Sequence, residues 1–549
     1  MTVLVVALSA LAAIFILDYV HYPPPFPRRL VFPYLLYRQD LVGLALLAAL
    51  ALLACIPTTH RPALAFVEAV GRRPWTSAAI VFVALCVGTV YAAHNHALAG
   101  DEHLTLMQSR IFAEGRLSGQ VPPELMPWLM ADFYRYRWIM VNPLSGDVAS
   151  IYWPGFALVL TPFSRLGIPW ACNPLLAALA LVLIARLASR LTGDPKAGGW
   201  AILLAAGSPA FTGLALSYFP MTAHLLFNLV YAWLLIERGR RGLVAAGLAG
   251  SLALLLHNPV PHMLYALPWI VWLGARPDGR RNLAALALGY LPALVVGLAW
   301  AVFIRNMHGF LVFAPFASDD DLLNQLGNLY WYWQFRSKTM FGVPEAYTIA
   351  GRIGEQVRLW AWAAPGLPIL AAAGWWLGRR NVHLTLLTLS LLATVLGYLF
   401  VRFDQGYGWG ARYVHPAWGA LPILGAAAIV LWPARFRERD AKLPGWVASA
   451  SLLSLVVATS LRGWQIHDYI SEHLSRRPPY VEGVRQFVFI QYDRGHYTQD
   501  LVQNDPFLRG PVVFLLSRGR KSDYILMRNL YPQARQVYDG RYGHVWRFD

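Results

Sequence analysis

Trp75-Thr-Ser-Ala-Ala-Ile-Val-Phe-Val-Ala-Leu-Cys-Val-Gly-Thr-Val-Tyr-Ala-Ala93, followed shortly by Gly100-Asp101-Glu102-His103, is the stretch on which the reading of this chain turns. The first part has the length and apolarity of a bilayer-crossing helix. The second sets two carboxylates side by side at its end. Adjacent carboxylates disfavour each other's ionisation, and inserting a helix does not require them. A reaction at the membrane surface would use them, one to accept a proton and the other to hold a cation or a substrate hydroxyl. Which face of the membrane they occupy has to be read from the rest of the chain.

Of the 549 residues 57% are hydrophobic and 14% charged, a balance outside that of soluble domains. Thirteen apolar runs are expected to span: 2–20, 41–57, 75–93, 172–190, 198–217, 220–237, 242–257, 259–275, 284–304, 358–377, 383–401, 412–432 and 444–461. Met1–Val20 lacks a basic leader and a small-residue cleavage site, so it is read as a retained helix. With the N-terminus cytoplasmic, the inside loops 58–74, 186–197, 237–241, 276–281, 379–380 and 434–442 hold eighteen Lys/Arg against six acids. Loop 94–171 carries five basic and six acidic residues, and loop 305–357 four and five. The positive-inside rule sends those loops, and the tail after 461, to the outer face. The net charge of +17 is therefore topology information. A nucleic-acid partner is not expected, because the arginines are spread over short loops and not gathered on one face. Cys55, Cys86 and Cys172 lie in or beside spans, which leaves no disulfide framework and no cysteine metal site.

Function then falls to three extramembrane regions. In 94–171, Leu104, Met107 and Ile111 recur at helical spacing, Gly115 ends the helix, and Asp101 stands where an N-cap is expected. Tyr152-Trp-Pro-Gly-Phe-Ala-Leu-Val-Leu-Thr-Pro-Phe-Ser-Arg-Leu-Gly167 is apolar but broken by two prolines, and reads as a helix lying in the interface. In 305–357, Tyr330-Trp331-Tyr-Trp333 with Arg336 and Lys338 suits a sugar ring; an interfacial aromatic belt accounts for it equally well. Asp319–Asp321 reads as a solvated loop. The tail 462–549 alternates apolar runs (Phe487–Ile490, Val512–Leu516, Val545–Phe548) with turns and a helical stretch near 521–530. This is a small α/β domain on the outer face with no catalytic motif.

Polar residues also gather at the outer ends of spans: Tyr218 and His224, His257-Asn-Pro-Val-Pro-His262, Arg402 and Asp404, and Arg412-Tyr413. An arginine at a boundary is most often snorkelling. Several on the face that holds Asp101 and Glu102 point to an anion pocket, since the guanidinium fork matches phosphate.

The ordered set resembles the GT-C superfamily of membrane glycosyltransferases. It consists of the acidic pair after a span, the Trp-Pro-Gly segment, Asn173 opening a span that ends Leu191-Thr-Gly-Asp194, Ser208-Pro209, Ser217-Tyr-Phe-Pro-Met-Thr-Ala-His224, and Gly410-Ala-Arg-Tyr413 before Pro416. The branch is the bacterial one related to protein O-mannosyltransferases and the lipid A aminoarabinose transferase, and the resemblance covers roughly 75–433. Two departures stand out: two extra spans come first, and Asn258-Pro259 replaces an Arg-Pro common in relatives.

The resemblance implies a polytopic helical fold divided as follows: an N-terminal pair in 1–74, a GT-C module in 75–461 with outer loops 94–171 and 305–357, and an α/β domain in 462–549. It also implies a multi-pass protein of a bacterial inner membrane with its catalytic face in the periplasm. A sugar would move with inversion from a polyprenyl-phosphate donor to an acceptor hydroxyl on a glycan, lipid or protein. Asp101 would be the general base, with Glu102 beside it. Arg402, Arg412 and Arg336 would bind the donor phosphate, and His257, His262, Tyr330, Trp331 and Tyr413 would line the substrate site. Glu102 with His257 or His262 could hold a divalent metal in the manner of some relatives. The competing readings are a secondary transporter or flippase of a lipid-linked glycan, and a noncatalytic assembly partner using the tail for docking. A transporter should show repeats, broken helices and charge near mid-membrane. The sequence shows no repeat and places its polar residues at one face.

Overall fold

A computed structural model describes residues 1–549 apart from 22–30, 133, 136–137, 238–239, 308–340, 433–441 and 549. The chain divides into two compact units. The first comprises Met1–Ala93, Trp170–Val295 and Lys338–Ile466; the second comprises His94–Pro169, Val296–Ser337 and His467–Asp549.

Among the described residues, seven helices are long and apolar enough to cross a membrane: Thr2–His21, Val31–Leu53, Pro74–Tyr91, Pro169–Thr192, Gly279–Met307, Val382–Phe400 and Lys442–Leu474. The run expected as one span over 198–217 is instead a pair, Lys196–Ala206 and Pro209–Ala215, bent by 65°. Pro209 lacks the N–H that would continue the first helix, and its ring clashes with the preceding turn. Ser208 holds the break, donating to the Leu204 carbonyl (2.7 Å) and accepting from Ala364 N–H (2.8 Å). Met221–Glu237, Val260–Gly274, Leu367–Gly378 and Ala420–Val430 are apolar but shorter. The last covers only part of the expected 412–432, because Pro416 sits in a single 3-10 turn, His415–Ala417, ahead of it. The expected inside loop 58–74 forms a helix, His60–Arg72, that buries Ala63 and Val67.

The N-terminal pair is tied into the first unit by charge. Asp40, fully buried, lies 2.9 Å from Arg358 Nε and 3.2 Å from Arg462 Nη1. It also accepts the Trp362 indole N–H at 2.5 Å. A buried carboxylate is tolerated only when paired in this way. These helices are thus part of the first unit and not appended to it.

In the second unit the long loop that follows Ala93 and the tail share one hydrophobic core. Leu104, Met107, Ile111, Leu125 and Val141 from the loop pack with Phe487, Phe489, Leu515, Met527 and Trp546 from the tail. The loop contains a small antiparallel sheet that the sequence reading did not foresee: β1 (Gly119–Gln120), β2 (Ile139–Val141) and β3 (Asp147–Ser150), in the order β1-β3-β2. Its hairpin turn is an Asx turn, in which Asn142 Oδ1 accepts from Leu144 and Ser145 N–H and Gly146 takes φ +79°. The tail builds β4 (Gln486–Ile490), β5 (Val512–Leu516), β6 (Ala534–Gly540) and β7 (Gly543–Phe548), ordered β5-β4-β7-β6. The β4–β5 pair is parallel, and its connection holds only a short 3-10 turn, Thr498–Leu501, while the α-helix Arg520–Leu530 follows β5. The apolar runs pointed to β4, β5 and β7. β6 left no such signal because all but its ends face solvent.

Candidate active site

Asp101 lies in the first turn of helix Gly100–Ala113, but it is not the cap. The N-cap position falls on Ala99, and Glu102 does the capping: its Oε2 accepts the backbone N–H groups of Leu98 and Ala99, each at 3.1 Å. Glu102 is 2% exposed and given over to that bond pair. This corrects the expected assignment, and the reason is geometric. Only the third helical residue can fold its carboxylate back onto the N-cap backbone. Asp101 is left half-buried with its side chain outside the cap. The Tyr152 hydroxyl donates to Asp101 Oδ1, and the carbonyl of Tyr152 accepts the Trp300 indole N–H at 2.9 Å. The Trp-Pro-Gly segment thus contributes a phenol that orients the carboxylate, and the helix it leads into, Gly155–Arg165, meets the Asp101 helix through Ser164 and Ser109 (2.7 Å). His103, next along, is pushed down to about 3 by burial and by Arg110 and Arg477, so its ring is neutral.

In the first unit Arg412 is 7% exposed, with its guanidinium 4.5 Å over the Phe219 ring and 5.6 Å over the Tyr413 ring. Cation–π contact of this kind fixes a planar fork in orientation. The loop before it is built for the purpose. Gln405 accepts the Arg412 backbone N–H (2.9 Å) and donates to the Gly410 carbonyl (2.9 Å). Gly408 takes φ +133°, and a Cβ there would sit 3.2 Å from Arg412 Cδ. Phe219 is fixed in turn by Asn173, which donates to the Ser217 and Phe219 carbonyls at 2.7 and 2.8 Å. Tyr413 donates to the Asp404 carbonyl (3.0 Å) and stacks on Tyr398 at 4.6 Å.

The sequence reading missed Arg352 and Glu355, a buried ion pair on helix Ala346–Ala361. Arg352 also donates to the carbonyls of Val401 and Phe403 and lies 4.9 Å over the Tyr413 ring. Their three-residue spacing was the available signal. Arg402 itself is exposed.

The remaining expected residues divide. Tyr330, Trp331 and Arg336 lie outside the described residues. His257 is buried in the turn before helix Val260–Gly274. His262 bonds Asn228 through Nδ1 and Tyr290 through Nε2, both at 2.7 Å. Glu102 and His262 therefore do not fit a metal site. The glutamate carries the cap, and both imidazole nitrogens carry helix-to-helix bonds. Among the described residues, no three or more His, Cys, Asp or Glu are grouped to hold an ion.

No family model matches the chain, and no curated protein matches it. Among solved structures it is similar to ArnT from Cupriavidus metallidurans bound to undecaprenyl phosphate, at 14% identity over 85% of this chain and 97% of that one, with a TM-score of 0.48. The apo state of the same protein gives the same identity and coverage with a TM-score of 0.49. A likeness of that size leaves the activity to be argued from this chain's own residues.

Proposed function

We propose that this chain is a membrane glycosyltransferase of GT-C type, moving a sugar with inversion from a polyprenyl-phosphate donor to an acceptor hydroxyl on the periplasmic side of a bacterial inner membrane. The observation that carries the reading is the division of labour in the acidic pair. Glu102 takes the structural role, and Asp101 is held by a phenol with its carboxylate outside the cap. Asp101 accepts the proton of the acceptor hydroxyl; that oxygen attacks C1 of the sugar, and the bond from C1 to the phosphate oxygen breaks. Negative charge grows on the leaving polyprenyl phosphate. A desolvated, pre-aimed guanidinium opposes that charge without reorganising, which supports Arg412 in the role. Arg402 and Arg336 are assigned to the same phosphate, and Tyr330, Trp331, Tyr413, His257 and His262 to the substrate. The acceptor is a glycan, lipid or protein.

Two observations favour the transporter reading: the helix pair bent by 65° and the buried Asp40–Arg358–Arg462 cluster. Against it, the cluster is closed by Trp362 and by backbone carbonyls that fasten Arg462, which leaves it fixed and not exchangeable.

One experiment separates the two. A deletion strain should accumulate the unused donor, and its labelled polyprenyl-phosphate sugar pool serves as the probe. Purified protein should transfer label from that pool to acceptor membranes. Movement of the labelled lipid across proteoliposomes with no transfer would assign a flippase instead.

A further inference from the structure

We propose that Asp500, in the C-terminal tail, is a positioning residue for Asp101, acting with Tyr134 on the backbone at the start of the Asp101 helix. The proposal rests on the reading of Asp101 as the base.

Asp500 is 5% exposed and sits in a short 3-10 turn, Thr498–Leu501, entered through Tyr497 in a left-handed conformation (φ 48°). Its Oδ1 accepts the Tyr134 hydroxyl at 2.5 Å, and Gln499 donates to the same phenol oxygen at 3.3 Å. The backbone N–H of Gly100 donates to the Asp500 carboxylate. The Gly100 backbone lies close against both groups: a Cβ there would be 3.4 Å from Asp500 Oδ1 and from the Tyr134 oxygen, ordinary contact distance. Gln503 grips the other side, donating to the Ala97 carbonyl (2.5 Å) and to the Asp500 carbonyl (2.7 Å). Residues 97–100 are thereby held by the tail immediately before Asp101, while Tyr152 holds the carboxylate itself. The first N–H of a helix has no partner within the helix, and Asp500 supplies one.

The contact also carries charge. Asp500 is raised to about 7 in all: burial pushes it up, the Tyr134 hydroxyl and Gly100 N–H pull it part of the way down, and Asp101 raises it. The ionisable groups facing it are Tyr134, Asp101 and His103 from the loop and Asp505 from the tail. His103 is neutral and adds no charge in the working range. When Asp500 ionises, its negative charge beside Asp101 favours proton capture there, making Asp101 the stronger base.

The test compares Asp500→Asn, Asp500→Glu, Tyr134→Phe and Asp101→Asn with wild type, as full-length protein assayed with the labelled donor pool from pH 5.5 to 8.5. Wild-type kcat should rise through about pH 7. Asp500→Asn imitates the protonated acid at every pH. Its kcat should fall roughly tenfold at pH 8, the size of one lost charge-assisted hydrogen bond, and the inflection should vanish while donor KM stays within about twofold. Tyr134→Phe should lower kcat and move the inflection, and Asp500→Glu should restore part of both. An Asp500→Asn enzyme with wild-type kcat and profile overturns the proposal. So does one with reduced kcat, a lowered melting temperature and an unmoved inflection, since that marks a packing role. Asp101→Asn keeps the two claims apart. If it is inactive while Asp500→Asn is normal, only positioning falls; if it is fully active, the base reading itself falls.

Discussion

Asp101 and Glu102 show how two identical functional groups, one residue apart, separate by position in a helical turn. Glu102 reaches back to two orphan N–H groups, while Asp101 cannot and projects to Tyr152. Glu102→Gln keeps that capping geometry, so it should leave transfer near wild type. Glu102→Ala removes it and should cost about 0.5–2 kcal/mol in thermal or denaturant unfolding. The acidic pair was legible in the sequence, but its roles were not. A capping box is recognised by a Ser or Thr at the cap, and Ala99 occupies that position here. Arg412 was legible as a charge at a span end, whereas its burial over Phe219 depends on Asn173, distant in the chain. Arg412→Ala should lower donor use roughly ten- to hundredfold, the cost of a lost charge-assisted contact. Lysine should restore it only in part, for want of a fork. A normal turnover in Arg412→Ala would move the phosphate site elsewhere.

Among elements, most of the expected apolar runs lie on single helices, because burying that much hydrocarbon leaves few alternatives in a bilayer; the expected span 358–377 instead falls across two, Ala346–Ala361 and Leu367–Gly378, parted at Gly366 with φ +80°. Misreadings came where backbone chemistry overrode apolarity: at Pro209, which turns one expected span into a bent pair, and at Pro416, which delays the helix to Ala420. The small sheet β1–β3 and the exposed strand β6 were invisible to periodicity because neither alternates apolar and polar residues over a useful length. The shared core of loop and tail could not be read at all, since it joins segments separated by most of the chain. It has a measurable consequence. Phe489 is fully buried in β4, and Phe489→Ala should cost about 3–5 kcal/mol of unfolding free energy. Because the Asp101 helix packs in that same core, transfer should fall with it. A melting loss confined to the tail, with full activity, would show that the two fold separately.

For the whole molecule, the Asp40 cluster fastens the second span-length helix, Val31–Leu53, into the first unit. Asp40→Asn strands Arg358 and Arg462 in the interior; breaking a buried pair from one side costs about 3–5 kcal/mol. The variant should express poorly or melt well below wild type in detergent, whereas Asp18→Asn on the preceding helix should not. A variant as stable as wild type would mean that the arginines find other partners and that the N-terminal pair is held by packing alone.

The central claim is that Asp101 removes the acceptor proton. Asp101→Asn keeps the size of the side chain and can still take the Tyr152 hydrogen bond, and the cap belongs to Glu102, so folding should be unaffected. The direct measurement is single-turnover transfer of label from the polyprenyl-phosphate sugar pool by purified wild type and Asp101→Asn, matched for melting temperature. Loss of a general base is worth about 10²–10⁴ in rate, and the variant should fall by that much. Transfer at the wild-type rate by a folded Asp101→Asn protein would contradict the account.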